Sequence, residues 1–244
     1  LVLVVMLASL WVFNLHEGLD NWAPYFFGAY GLGALVHWLS PSRWRVRWLA
    51  LLGAIASFLV TIPLVTRFDL ATAAMQFEEK LPWIERFKVF YHLGVDGISV
   101  WFVLLTAFIT VVVVISAWQV ITVRVNQYMG AFLILSGLMV GVFCALDGLL
   151  FYVFFEATLI PMYIIIGIWG GPRRVYAAFK FFLYTLLGSL LMLVALIYLY
   201  YKSGGSFEIL DWHKLPLGDT AQKLIFLAMF MSFAVKVPMW PVHT

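Results

Sequence analysis

A charged side chain at the centre of a membrane-spanning helix costs about 2.5–3.5 kcal/mol on insertion scales, so one that persists there has a task or a partner. Three residues of this 244-residue chain stand in such places: Glu156, Lys180 and Lys236. Glu156 closes the run Phe151-Tyr152-Val153-Phe154-Phe155-Glu156, and Pro161 follows five residues on. Lys236 lies in Val235-Lys236-Val237-Pro238-Met239-Trp240-Pro241, where two prolines within six residues cannot continue a regular helix. Broken helices are tolerated in a membrane only where the freed backbone faces protein or water, and such breaks build ion sites near the midplane. The chemistry this set suits is proton relay. Burial penalises an ammonium and a nearby carboxylate restores it. At 4 Å and an effective dielectric of about 20 that attraction is roughly 4 kcal/mol, so moving the two groups a few ångströms apart would release a proton. The competing reading of Glu156 and Lys236 is a static ion pair that holds two helices together. Lys180 lies close to Arg173 and Arg174, and its competing reading is snorkelling to the interface.

These residues need spans to hold them, and the composition supplies the material. Apolar residues make up 64% of the chain, charged residues 11% and aromatic residues 18%, with a mean hydropathy of +1.00. A soluble domain is about 45–50% apolar and about 25% charged, so the sequence predicts an all-α integral membrane protein. A span needs about 20 apolar residues. The candidates are 24–39, 47–65, 98–118, 129–146, 149–169, 178–201 and 223–240, and residues 1–13 form a further run that is either a truncated span or a signal-peptide core. Glu156 then lies about 10 Å and Lys236 about 20 Å from the same face, both in the middle third of the hydrocarbon. Without an initiator Met, and ending at Pro241-Val242-His243-Thr244, the sequence reads as a fragment.

Short loops with Arg43 and Arg45, with Arg124, and with Arg173 and Arg174 fall on one side, which the positive-inside rule makes cytoplasmic. The net charge of +3 is therefore a topology signal, and nucleic acid is not an expected partner. The longer segments 66–97 and 202–222 fall outside, the first as a lid with an interfacial helix, and no strand pattern stands out. Trp22, Trp38, Trp44, Trp48, Trp83 and Trp212 lie near span ends, as an aromatic belt requires. His92 and His213 read as solvated loop histidines. The single cysteine, Cys144, excludes a disulfide framework, and no phosphate loop, dinucleotide fingerprint or metal-ligand spacing occurs, so no cofactor or metal is expected in this chain.

Four runs together resemble a known family. Tyr91-His92-Leu93-Gly94-Val95-Asp96-Gly97-Ile98-Ser99 is similar to the start of the third helix of the antiporter-like subunits of respiratory complex I. Phe154-Phe155-Glu156-Ala157-Thr158-Leu159-Ile160-Pro161-Met162-Tyr163 resembles their fifth helix, and Phe179-Lys180-Phe181-Phe182-Leu183-Tyr184-Thr185 their sixth. Phe233-Ala234-Val235-Lys236-Val237-Pro238-Met239-Trp240-Pro241-Val242-His243 resembles the seventh, and the M-type branch (chain 4) matches best, from about residue 24 to 244. The resemblance implies a polytopic bundle with a discontinuous helix near the C-terminal end, covering most of the first of two inverted repeats. It divides the chain into an N-terminal apolar segment and outer loop (1–23), two lead-in helices (24–65), an extracytoplasmic loop (66–97) and a five-helix proton-channel half (98–244). It implies that Glu156 and Lys236 form a glutamate–lysine pair with Lys180 on the proton route, whereas Asp96 reads as a loop or helix-entry residue with a structural role. The implied function is proton translocation in a bacterial inner-membrane NADH–quinone oxidoreductase. FMN, iron–sulfur clusters and quinone would belong to partner subunits, and the nearest partners would be other antiporter-like membrane subunits. The alternative is a subunit of an Mrp-type cation/proton antiporter or a related membrane hydrogenase.

Overall fold

The computed structural model of the chain describes residues 31 and 43–242. The predicted runs 1–13 and 24–39 therefore lie outside the described residues, residue 31 apart. Helix α1 (Arg43–Thr66) is followed by strands β1 (Gln76–Ile84) and β2 (Val89–Val95). Then come helices α2 (Ser99–Val120), α3 (Val125–Cys144), α4 (Gly148–Ala157) and α5 (Leu159–Trp169). The last three are α6 (Arg174–Lys202), the single turn α7 (Ile209–Trp212) and α8 (Asp219–Lys236). Among the described residues, five segments are long and apolar enough to cross a bilayer: 44–66, 99–120, 125–144, 148–169 and 174–202. They fall on the predicted spans from 47–65 to 178–201. Helix α8 occupies the predicted 223–240 but begins at Asp219 and stops at Lys236, the residue before the proline-rich break.

The chain divides into two compact units. The first comprises the described residues up to Glu79 together with Leu93–Cys144. Here α1, α2 and α3 pack on one another. Small residues make this close: Ala50, Ala54, Ser57 and Thr61 are completely buried at helical spacing along α1. Hydroxyls in such a dry interior need acceptors. Ser57 donates to the Gly53 carbonyl at 2.9 Å, Thr106 to Phe102 at 2.7 Å and Thr110 to Thr106 at 2.7 Å. Trp44, Trp48 and Trp118 form an edge-on cluster at one end of the bundle. Trp44 and Trp48 are exposed there, as an interfacial belt requires. Asp96 ends the loop before α2 by accepting the amides of Ile98 at 3.1 Å and Ser99 at 2.6 Å, at the helix entry where the sequence places it.

The second unit comprises Lys80–His92 and the described residues from Ala145 onward. In it α6 packs against α4, α5 and α8. At Gly188 a Cβ would lie 3.0 Å from the Cβ of Val235, so glycine permits the close approach of α6 and α8.

The 66–97 segment holds no interfacial helix. Strands β1 and β2 pair as a two-stranded sheet, closed by one 3₁₀ turn at Glu85–Phe87 and by Lys88 at φ 51°. Val89, Phe90 and Tyr91 favour extended backbone. Pro82 hides the strand from sequence reading, yet both strands of a two-stranded sheet are edges, where a missing N–H is tolerated.

Candidate functional site

The 148–169 span is not one continuous helix. Helix α4 ends at Ala157, Thr158 is the junction, and α5 starts at Leu159. Pro161 is the cause: it has no N–H for the carbonyl four residues back, and its ring crowds that carbonyl. Thr158 bridges the gap by donating its hydroxyl to the Phe155 carbonyl at 2.7 Å. The Lys236 ammonium reaches the same carbonyl at 2.8 Å, with the Thr158 hydroxyl oxygen at 3.4 Å and the Phe155 ring centroid also at 3.4 Å. The last residue of α8 is thereby docked on the break between α4 and α5.

Glu156 is the next residue along, within electrostatic reach of Lys236. No ion pair within 4.0 Å joins them among the described residues, and the Glu156 Oε1 atom is buried without a hydrogen-bond partner there. The geometry therefore differs from a closed pair at 4 Å. The backbone break offers the ammonium a neutral, polar acceptor, and the carboxylate stands aside. Tyr152, one turn earlier on α4, faces Ser189 of α6 and lies in the field of Glu156. Ser189 is buried, so these groups continue a polar layer through the helices.

Depth follows from the packing. Val235 meets Gly188, the fifteenth residue of the 29-residue α6, which puts Lys236 level with the middle of that helix. Among the described residues no hydrogen bond or ion pair joins Lys180 to Lys236 or Glu156. Lys180 is exposed on α6, eight residues before Gly188 or about 12 Å along the axis.

A second polar cluster escaped the sequence reading. His92 is buried rather than solvated, and its Nδ1 lies 2.7 Å from Glu208 Oε2. Glu208 Oε1 pairs with the Lys80 ammonium, also at 2.7 Å, and Lys80 lies over the Phe90 ring. Burial pushes the Glu208 carboxyl up, but the hydrogen bonds from His92 and Lys80 outweigh it and hold the group below its usual range. Beside it Asp147 caps α4, accepting from Leu149 at 2.9 Å and Leu150 at 3.0 Å, while its other oxygen accepts from Phe90 at 3.1 Å. Burial raises the Asp147 carboxyl despite these three amides. Backbone bonds complete the clasp: Leu146 donates to His92, Gly148 to Phe207 and Ile209 to Leu146. Trp212 is not part of an aromatic belt. It is buried, with its ring where a side chain on Gly148 would stand. Only the Asp147-Gly148 turn signalled this region in the sequence. The partners are separated by 116 residues for His92 and Glu208 and by 57 for Phe90 and Asp147.

A multi-pass helical bundle with a broken span, and a lysine at the end of a second helix docked on the break beside a carboxylate, has the architecture of the antiporter-like membrane subunits. Residues 145–244 match the family model described as NADH:quinone oxidoreductase/Mrp antiporter, TM. Over 214 residues the chain is 53% identical to NADH-quinone oxidoreductase subunit M of Rhodobacter capsulatus, covering 82% of this chain and 41% of that protein. It is similar to a chain of respiratory complex I from Thermus thermophilus with bound NADH, with a TM-score of 0.76 and 29% identity, over 100% of this chain and 45% of that one. A chain of the Mrp complex of a Dietzia species shares the fold, with a TM-score of 0.73 at 18% identity, over 87% of this chain and 24% of that one. The chain is therefore similar to the antiporter-like subunits of the NADH:quinone oxidoreductases and Mrp antiporters, and over most of its own length to subunit M. It spans less than half the length of these proteins.

Proposed function

We propose that this chain is part of a proton-translocating membrane subunit of an NADH:quinone oxidoreductase, and that Glu156 and Lys236 are its working proton sites with Lys180 on the route. The observation that carries this is the Lys236 ammonium seated at a helix break next to a carboxylate oxygen that has no hydrogen-bond partner among the described residues. A static clamp would close that pair. A relay needs it open in one state and closed in another. In the closed state a proton passes from the lysine to the carboxylate: one N–H bond breaks, one O–H bond forms, and both groups become neutral. Energy for the cycle would come from electron transfer in partner subunits that hold FMN, iron–sulfur clusters and quinone. The 12 Å between Lys180 and the Lys236 level is too far for direct transfer, so water or hydroxyls would bridge it. Residues 98–244 would form the channel half, 24–65 the lead-in helices and 66–97 an extracytoplasmic loop, in a bacterial inner membrane.

The test is NADH-driven acidification of inverted membrane vesicles carrying the full-length protein with Lys236→Ala, with complex assembly followed on a native gel. Lost acidification in an assembled complex is expected. Normal acidification would reduce the pair to helix packing. Glu156→Gln should lower acidification more than NADH oxidation by an artificial acceptor, and a parallel fall of both with loss of the complex would make Glu156 structural. Cation-driven proton exchange without NADH would favour the Mrp-type alternative.

A further inference from the structure

A proton relay at this pair needs Lys236 to leave Glu156 and return. We infer that the α4–α5 break is a second, built seat for the protonated Lys236 side chain, and that Thr158 is the positioning residue that sets how long the ammonium stays there. This rests on Lys236 being a working proton site.

The seat has three elements. The Phe155 carbonyl accepts from Nζ at 2.8 Å, the Thr158 hydroxyl oxygen lies at 3.4 Å, and the Phe155 ring presents its face with the centroid 3.4 Å away. All are suited to a cation. Phe155 lies in the last turn of α4, where carbonyls carry the negative end of the helix dipole. An aromatic face attracts a desolvated ammonium. The Thr158 hydroxyl spends its hydrogen on the Phe155 carbonyl at 2.7 Å, which leaves its lone pairs for Nζ. Phe155 and Thr158 thus offer a lysine three ligands, none of which is a base.

That last property gives the seat its role. A carbonyl, an alcohol and a ring cannot take the proton, so the lysine stays charged while seated. Transfer requires Nζ to move to Glu156, whose Oε1 atom has no partner among the described residues. There the N–H bond breaks and an O–H bond forms on the carboxylate. The break therefore separates a holding position from a transfer position one residue apart on the same helix. Removing the hydroxyl weakens the holding position by about tenfold in occupancy, the ratio expected for one hydrogen-bond ligand of a charged group. The ammonium then rests against Glu156.

The experiment compares Thr158→Val, which keeps the shape and removes the hydroxyl, with Thr158→Ser, which keeps the hydroxyl. Both are made in the full-length protein in assembled complex, with Lys236→Ala alongside. Vesicle acidification and NADH oxidation with an artificial acceptor are measured together. Thr158→Val should lower acidification about tenfold at unchanged acceptor rate, and Thr158→Ser should stay within about twofold of wild type. If Thr158→Val fails to assemble, Thr158→Ala takes its place under the same criteria. Equal losses in the serine and hydroxyl-free variants would overturn the inference, because bulk rather than the hydroxyl would matter. Wild-type acidification in all Thr158 variants, with acidification abolished in Lys236→Ala, would overturn the seat and leave the proposed function standing. Unchanged acidification in Lys236→Ala would remove both.

Discussion

Replacing Glu208 by Gln should loosen the clasp between strand β2 and the loop after α6 without touching the spans. Glu208 accepts two charge-assisted contacts of 2.7 Å through a side chain only 11% exposed. A glutamine of the same shape keeps one acceptor and turns a donor toward the other partner. A hydrogen bond to a charged group is worth about 1.5–3 kcal/mol. The Lys80 contact counts for less, because that lysine is 45% exposed and water screens it. The expected loss is about 2 kcal/mol, or about 30-fold in the local opening equilibrium. Hydrogen–deuterium exchange in the assembled complex reads this directly. The amides of Phe90, Leu146, Gly148 and Ile209 all bond across the clasp, and each should exchange about 30-fold faster. Amides in the middle of α6 should not change. The pH dependence has a definite sign. The Glu208 carboxyl is held low in the folded protein, so its stabilisation is complete above about pH 4.3, the unfolded value, and is lost as pH falls through the folded one. Unchanged exchange of the four amides in Glu208→Gln would refute the assignment of Glu208 as the centre of the clasp.

Other outcomes follow from the same geometry. Gly148→Ala places a Cβ against the Trp212 ring, so the ring must move and the detergent-solubilised complex should melt lower, by overpacking of about 1–3 kcal/mol. An unchanged Tm would show that the ring has room. Gly188→Ala puts a methyl 3.0 Å from Val235 and should displace the end of α8 that carries Lys236, lowering vesicle acidification while the complex still assembles. Lys236→Arg should rescue acidification poorly, because a guanidinium stays protonated near neutral pH, and full rescue would exclude deprotonation of residue 236. Asp219→Asn breaks an ion pair whose side chains are 79% and 72% exposed, and thermal unfolding should show no measurable change.

Some of this was legible in the sequence for a simple reason. Insertion into a bilayer depends on the summed hydropathy of about 20 consecutive residues, and that is a local quantity. The spans from 47–65 to 178–201 therefore coincide with helices, differing by a few residues at their ends. Helix α3 stops at Cys144 because the Leu146 amide turns away to the His92 carbonyl. The prolines after Lys236 were equally plain: Pro238 and Pro241 cannot continue a helix, and α8 ends at Lys236. The hairpin was not legible, because its mixed polarity and Pro82 mask a pattern that becomes stable only once β1 and β2 pair.

What the sequence by itself determined is the membrane class, the places of the described helices and the rare charges within them, since burying an ionisable group in hydrocarbon is costly wherever the chain goes. What only the tertiary structure decided is where those charges find partners. Lys236 meets the Phe155 carbonyl across 81 residues instead of closing on Glu156, and His92 leaves solvent for Glu208 across 116. Such contacts depend on how close two helices or loops can come. That distance is set by packing, at Gly188 against Val235 and at Gly148 against Trp212, and no window of sequence contains both sides of either contact.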